Sequence, residues 1–143
     1  MDVNITIQNL SGSNSIPSNR QLKQWAALPL ASLNKMTELT IRIVDEDEGQ
    51  QLNAAWRDKD YATNVLSFPI GETNEHAPAM LGDIVICAPV VEKEAEQQGK
   101  KLESHWAHLV IHGILHLQGY DHEHHEDASK MEKLEITLLE KIG

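Results

Sequence analysis

One cysteine, Cys87, occurs in 143 residues, so an internal disulfide is excluded. It sits in an apolar run, as a packed thiol does, and not as a nucleophile would. A reducing cytoplasm suits such a chain. Long hydrophobic runs are also missing: His112 and His116 interrupt the longest apolar segment, and no basic region followed by an apolar stretch precedes it. Neither a membrane span nor a signal peptide is therefore expected. Positive charge is scarce. Twelve lysines and arginines stand against twenty-two acids, a formal net charge of −10, which favours solubility and by itself argues against nonspecific nucleic-acid binding. There is no internal repeat and no low-complexity tract. A composition of 41% hydrophobic and 24% charged residues is that of a soluble globular protein, and the length suits one domain, 1–143.

Hydrophobic periodicity supplies the elements. Val3, Ile5 and Ile7 alternate with polar residues, as do Leu39, Ile41 and Ile43, which predicts half-buried strands at both places. Ser18 or Asn19 can cap a helix running to about Pro29, with more helix toward Leu33 beyond a proline break. Asp45 or Asp47 can start another through Leu52, Ala55 and Trp56, its acids at the positive end. Val65 to Phe68 reads as a short strand stopped by Pro69, Gly71 to Ala79 as a long connection, and Asp83 to Cys87 as an internal strand. Pro89 opens a helix that Gly99 can end. Two further helices span about Leu102 to Gln118 and Glu126 to Lys141, the last with Met131, Leu134, Leu138 and Ile142 at packing intervals. This order predicts a compact α+β or α/β-like fold, a small mixed four-stranded sheet against about five helices.

Chemistry concentrates between His112 and His122. His112 and His116, four apart on a helix, stand about 40° apart around its axis and roughly 6 Å along it, close enough to share an ion. Gly119 lets the chain leave the helix and fold back, and His122 follows. The pattern H-x3-H-x5-H offers three nitrogens and leaves a tetrahedral metal one open position. A solvated stripe of His105, His108, His112 and His116, opposite Trp106, Val110 and Ile114, gives the same pattern. Leu109 and Leu115 flank that stripe, however, and predict a helix buried on most sides, where unpaired imidazoles cost free energy. His105 and His108 are read as supporting or surface groups. His124 and His125, in the acidic run Asp121 to Asp127, are read as solvated, and His76 as an isolated loop residue.

Three neutral imidazoles leave a metal's charge uncompensated and acidify its bound water, which is the arrangement of a hydrolase. Asp121 or Asp127 could instead close the site, making it structural. The spacing equals that of the metzincin proteases, but Gly113 stands where those enzymes have a glutamate base. Peptide hydrolysis would lack its proton carrier, whereas a phosphodiester has an easier leaving group and an arginine can offset its charge. Arg57, ahead of the polar segment 58–64, is the candidate for that role; an ordinary surface salt bridge is the alternative.

The run His112-Gly113-Ile114-Leu115-His116-Leu117-Gln118-Gly119-Tyr120-Asp121-His122 resembles the H-G-x-L-H-L-x-G-Y-D-H signature of the bacterial YbeY family. Arg57 with Thr63 to Pro69, Leu81 to Ile86, Glu94-Ala95 and His105 to Leu109 add matches in the family's order. The resemblance implies a single-strand-specific, metal-dependent endoribonuclease acting in ribosomal RNA processing, particularly at the small-subunit 3′ end, and in ribosome quality control. It implies zinc, or another divalent ion, held by His112, His116 and His122, with Arg57 functionally important. The implied partners are single-stranded RNA and the small ribosomal subunit, through a ribosomal protein or ribosome-bound GTPase, with no membrane and no DNA. An RNA-chaperone module with a structural metal and an unusual peptidase are the competing readings. An acidic chain acting on RNA needs local positive potential, expected from the metal, Arg57, Lys59 and further from Lys93, Lys100 and Lys101.

Overall fold

A computed structural model describes residues 3–30, 37–69, 79–117 and 125–140. His76, Gly119, Asp121, His122, His124 and the stretch toward Leu33 lie outside the described residues, as do the side chains of His125, Asp127 and Met131. The elements are β1 (Val3–Asn9), α1 (Asn19–Leu30), β2 (Thr37–Val44), α2 (Glu46–Arg57), β3 (Val65–Pro69), β4 (Ala79–Cys87), α3 (Ala88–Gln98), α4 (Leu102–Leu117) and α5 (His125–Glu140). The strands form one sheet in the order β1-β2-β4-β3. β1, β2 and β4 run parallel, and β3 lies antiparallel to β4. The sheet is thus mixed and α+β as expected.

The two side-chain sets of each strand go to different cores. Leu39, Ile41 and Ile43 of β2 and Ile84 and Ile86 of β4 share a cluster with Leu22, Trp25 and Leu30 of α1 and Trp106, Val110 and Ile114 of α4. Val44, Val85 and Cys87 face the other way, with Leu66 of β3 and the half-buried Leu52 of α2. Both faces of β4 are covered, which is why Ile84 to Cys87 reads as an unbroken apolar run. α4 touches α1, α3, α5, β3 and β4, so the expectation of a helix buried on most sides holds.

Helix ends follow local chemistry, with two differences. Gln21 N–H donates to Ser18 Oγ at 3.2 Å while Ser18 N–H donates to Gln21 Oε1 at 3.2 Å, a reciprocal capping box at the start of α1. α1 carries Pro29 inside its last turn and runs one residue past the expected end, to Leu30; the helix expected beyond the break lies outside the described residues. Asp45 occupies the N-cap position of α2 without a side-chain cap bond. Its Oδ1 instead accepts from Gly12 N–H at 3.1 Å, tying down the loop after β1. Gly99, at φ 64°, ends α3 as expected.

Candidate active site

α4 carries a histidine on each successive turn of one stripe. Ring centroids are 6.3 Å apart for His105 and His108, 6.0 Å for His108 and His112, and 4.7 Å for His112 and His116. The last pair is the closest, as a shared ion requires. What lets α4 lie this near the sheet is Gly113: a Cβ there would stand 3.1 Å from Ile84 Cγ2 and 3.2 Å from Val65 Cγ2. Ser67 Oγ–H donates to the Gly113 carbonyl at 3.1 Å, fixing β3 beside the helix. The position that holds a glutamate in metzincins is therefore turned toward β3 and β4, where any side chain would crowd Ile84 and Val65.

A cleft of about 400 Å³ opens between this stripe and the end of α2. His112 and His116 line one side, Val65 and Ser67 of β3 the floor, and Asn53 and Arg57 of α2 the other side, with Lys59, Tyr61, Thr63 and Asn64 along the connecting segment. Arg57, His112 and His116 thus meet in one place although 55 residues separate the first from the second. His122 lies outside the described residues. Of the five cations expected to supply local positive potential, Arg57 and Lys59 line the cleft. Lys93, Lys100 and Lys101 are exposed on α3 and the turn after it.

Two carboxylates organise the histidines. Glu94 of α3 accepts from Asn64 Nδ2 at 3.0 and 3.3 Å through its two oxygens, and its Oε1 lies 3.0 Å from His105 Nε2. Asn64 Oδ1 in turn accepts from Val65 N–H at 2.6 Å. The rim of the cleft is thereby bonded to the base of α4, and His105, buried at 3% exposure, is a supporting group as expected. Glu135 of α5, itself buried, holds the second set: Oε2 is 3.3 Å from His108 Nε2, and Oε1 is in direct hydrogen-bond contact with His112 Nδ1. Burial pushes the Glu135 carboxyl up, but hydrogen bonds and charge from His108 and His112 outweigh it and hold it at about 2, below its ordinary 4.5.

Glu135, which contacts two of the histidines, is the member of this cluster that sequence reasoning missed. Leu134 and Leu138 drew attention to α5 as a packing helix. The available signal was a carboxylate four residues after Met131 and three before Leu138, inside an apolar stripe, where a charge needs a partner.

The donor set fits a divalent ion. Imidazole nitrogens suit zinc and related metals, and His108, His112 and Glu135 also offer ligand atoms that all lie within 4.8 Å of one another. His112 belongs to both groupings.

Comparison with known proteins points one way. A family model described as Endoribonuclease YbeY matches residues 6–143. A protein named Endoribonuclease YbeY from Pseudomonas fluorescens is 57% identical over 128 residues, 89% of this chain and 84% of its own. One of the same name from Thiobacillus denitrificans is 51% identical over 142 residues, 99% of this chain and 92% of its own. Among solved structures, the solution structure of a Thermotoga maritima protein is 27% identical, covers 96% of this chain and 89% of its own, and has a TM-score of 0.64.

Proposed function

This chain belongs to the endoribonuclease YbeY family, and from that membership we propose a metal-dependent endoribonuclease that cuts single-stranded RNA during ribosomal RNA processing, notably at the small-subunit 3′ end, and in ribosome quality control. The observation that carries this reading is the meeting of Arg57 with His112 and His116 on one cleft. A phosphodiester needs its charge offset and its water activated, and the two sides of the cleft offer one function each. Arg57 presents a planar fork of donors to phosphate oxygens, and Lys59 adds a second positive charge beside it.

The proposed metal is one zinc ion held by His112, His116 and His122. Bound there, zinc would supply Lewis acidity and activate water. Glu135 is in hydrogen-bond contact with His112 Nδ1; accepting from Nδ1–H it would fix the ring and leave Nε2 free to ligate. A second grouping, His108, His112 and Glu135, is favoured by the closeness of their ligand atoms. Glu135 meets both His108 and His112 as a hydrogen-bond acceptor would, and a carboxylate that orients ligand imidazoles from behind is a common support of a metal site.

The competing peptidase reading lacks the glutamate its spacing calls for, since Gly113 stands at that position and is packed against β3 and β4. No described helix is long and apolar enough to cross a membrane, and we place the reaction in the cytoplasm, on the small ribosomal subunit, with a ribosomal protein or ribosome-bound GTPase supplying affinity that an acidic chain lacks.

The test is metal analysis beside cleavage of ribosomal RNA fragments. Wild type should hold one equivalent of zinc and cleave. His116→Ala should lose both, His108→Ala should keep the metal, and Arg57→Ala should lose cleavage with metal content and Tm unchanged. Full cleavage by Arg57→Ala would remove that residue from the mechanism, and metal loss in His108→Ala but not in His116→Ala would favour the second grouping. Acidification to about pH 3, well below the reference imidazole value of about 6.5, should release the ion.

A further inference from the structure

Among the side chains of the cleft that neither phosphate binding nor metal binding uses, one is a large aromatic ring. Tyr61 lines the cleft together with Arg57, Lys59, His112 and His116, yet is 55% exposed, and its ring pairs with none of the other described aromatic rings. Leaving a large ring in water forgoes the gain that its burial would bring. A mobile loop would explain that exposure, but this segment is fastened. Asp58 ends α2 in the left-handed conformation at φ 56°, which turns the chain back along its own helix. Lys59 N–H then donates to Asn53 O at 3.3 Å, Gln50 Nε2 to Asp60 Oδ1 at 3.0 Å, and Asn53 Nδ2 to the Tyr61 carbonyl at 2.7 Å. Asn53 is itself 1% exposed. Two bonds to α2 thus hold the backbone that presents Tyr61 beside the two cations, and a third ties the Asp60 side chain.

We propose that Tyr61 is a base-stacking platform, taking the face of one unpaired base of an RNA strand whose phosphates lie on Arg57 and Lys59. This rests on the endoribonuclease reading and deepens it. A ring flanked by positive charge in a chain of net charge −10 is suited to a polyanion that carries flat apolar groups, and a single-stranded nucleic acid is such a ligand. Stacking also accounts for strand selectivity. In a duplex the base faces are covered by their neighbours, so a platform at the cleft rewards only a base that is already splayed out. Any base has a π face, so the platform selects strandedness more than sequence.

The test uses the full-length, zinc-loaded protein and a single-stranded oligoribonucleotide of about eight nucleotides, with a series in which one nucleotide at a time is replaced by an abasic one. Tyr61→Ala should raise KM roughly tenfold with kcat little changed, and Tyr61→Phe, which keeps the ring, should behave as wild type. One abasic position should cost wild type about the same factor and cost Tyr61→Ala nothing further, because the two changes remove the same contact. Melting temperature should be unaltered in both variants. Penalties that add at every position, or an unchanged KM in Tyr61→Ala, would overturn the stacking site while leaving the endoribonuclease reading intact. Failure of wild type to cleave any of the oligonucleotides would overturn both.

Discussion

Gly113 shows how one residue carries two meanings. In the sequence it is an absent glutamate, and the structure supplies the cause: α4 lies so close to β3 and β4 that a methyl group would press on Ile84 and Val65. Gly113→Ala should gain up to about 1 kcal/mol of helix propensity and lose about 1–3 kcal/mol to overpacking against two stiff β-branched side chains. A net fall in Tm is expected in a thermal melt; a rise would mean the sheet yields easily. Gly113→Glu should impair folding and leave casein uncut. Cys87 is legible without the structure. Its burial, the largest effect, pushes the thiol above its ordinary 9.0, joined by the charges of Glu46 and Asp45 and opposed by a backbone hydrogen bond from Val90. The folded protein should therefore resist thiol-alkylating reagents at pH 8, and its stability should fall as pH rises past about 9, where the unfolded thiol ionises first. Rapid modification of the native protein would contradict this.

At the scale of elements, strands and helices were readable because their apolar residues recur at intervals of two or of three and four. Val3 to Ile7, Leu39 to Ile43 and the α4 stripe all signalled their own faces. What one element brings to another was not readable. Arg57 shares a cleft with His112 and His116 through long-range packing that no local periodicity records, and Glu135 meets His108 and His112 only because α5 folds back on α4. Glu135→Ala should leave two imidazoles without their acceptor, costing about 1–3 kcal/mol in the zinc-free protein and weakening zinc binding about 10–100-fold, measurable by chelator competition. Because the folded carboxyl lies below its unfolded value, its contribution is present above about pH 4.5 and lost as pH falls toward about 2. Glu135→Gln should accordingly remove part of the acid destabilisation of the zinc-free protein. Asn53, polar and buried in α2, gave no sign in the sequence of its bond to the Tyr61 carbonyl. Asn53→Ala should lower stability by about 1–2 kcal/mol and raise KM for RNA by loosening the segment it holds; unchanged kinetics would show that the segment keeps its shape unaided.

For the whole molecule, composition and charge set limits that the structure refines. A formal charge of −10 looked at odds with a nucleic-acid substrate, but the charge is unevenly placed: Arg57 and Lys59 line the cleft, while Lys93, Lys100 and Lys101 are not among its lining residues. Two phosphate contacts to a single strand give a log–log salt slope of about −1.4. Titration of a short RNA into the protein at rising salt should show that shallow slope and weak binding. A slope several times steeper would mean that other cations join. The Glu94 carboxylate, shared between Asn64 on the rim and His105 at the base of α4, has a further result. The cleft-lining loop and the histidine helix are not separable cassettes. Anyone transplanting segment 58–67 into a different scaffold would have to carry α3 with it, or the grafted loop would arrive without its mooring.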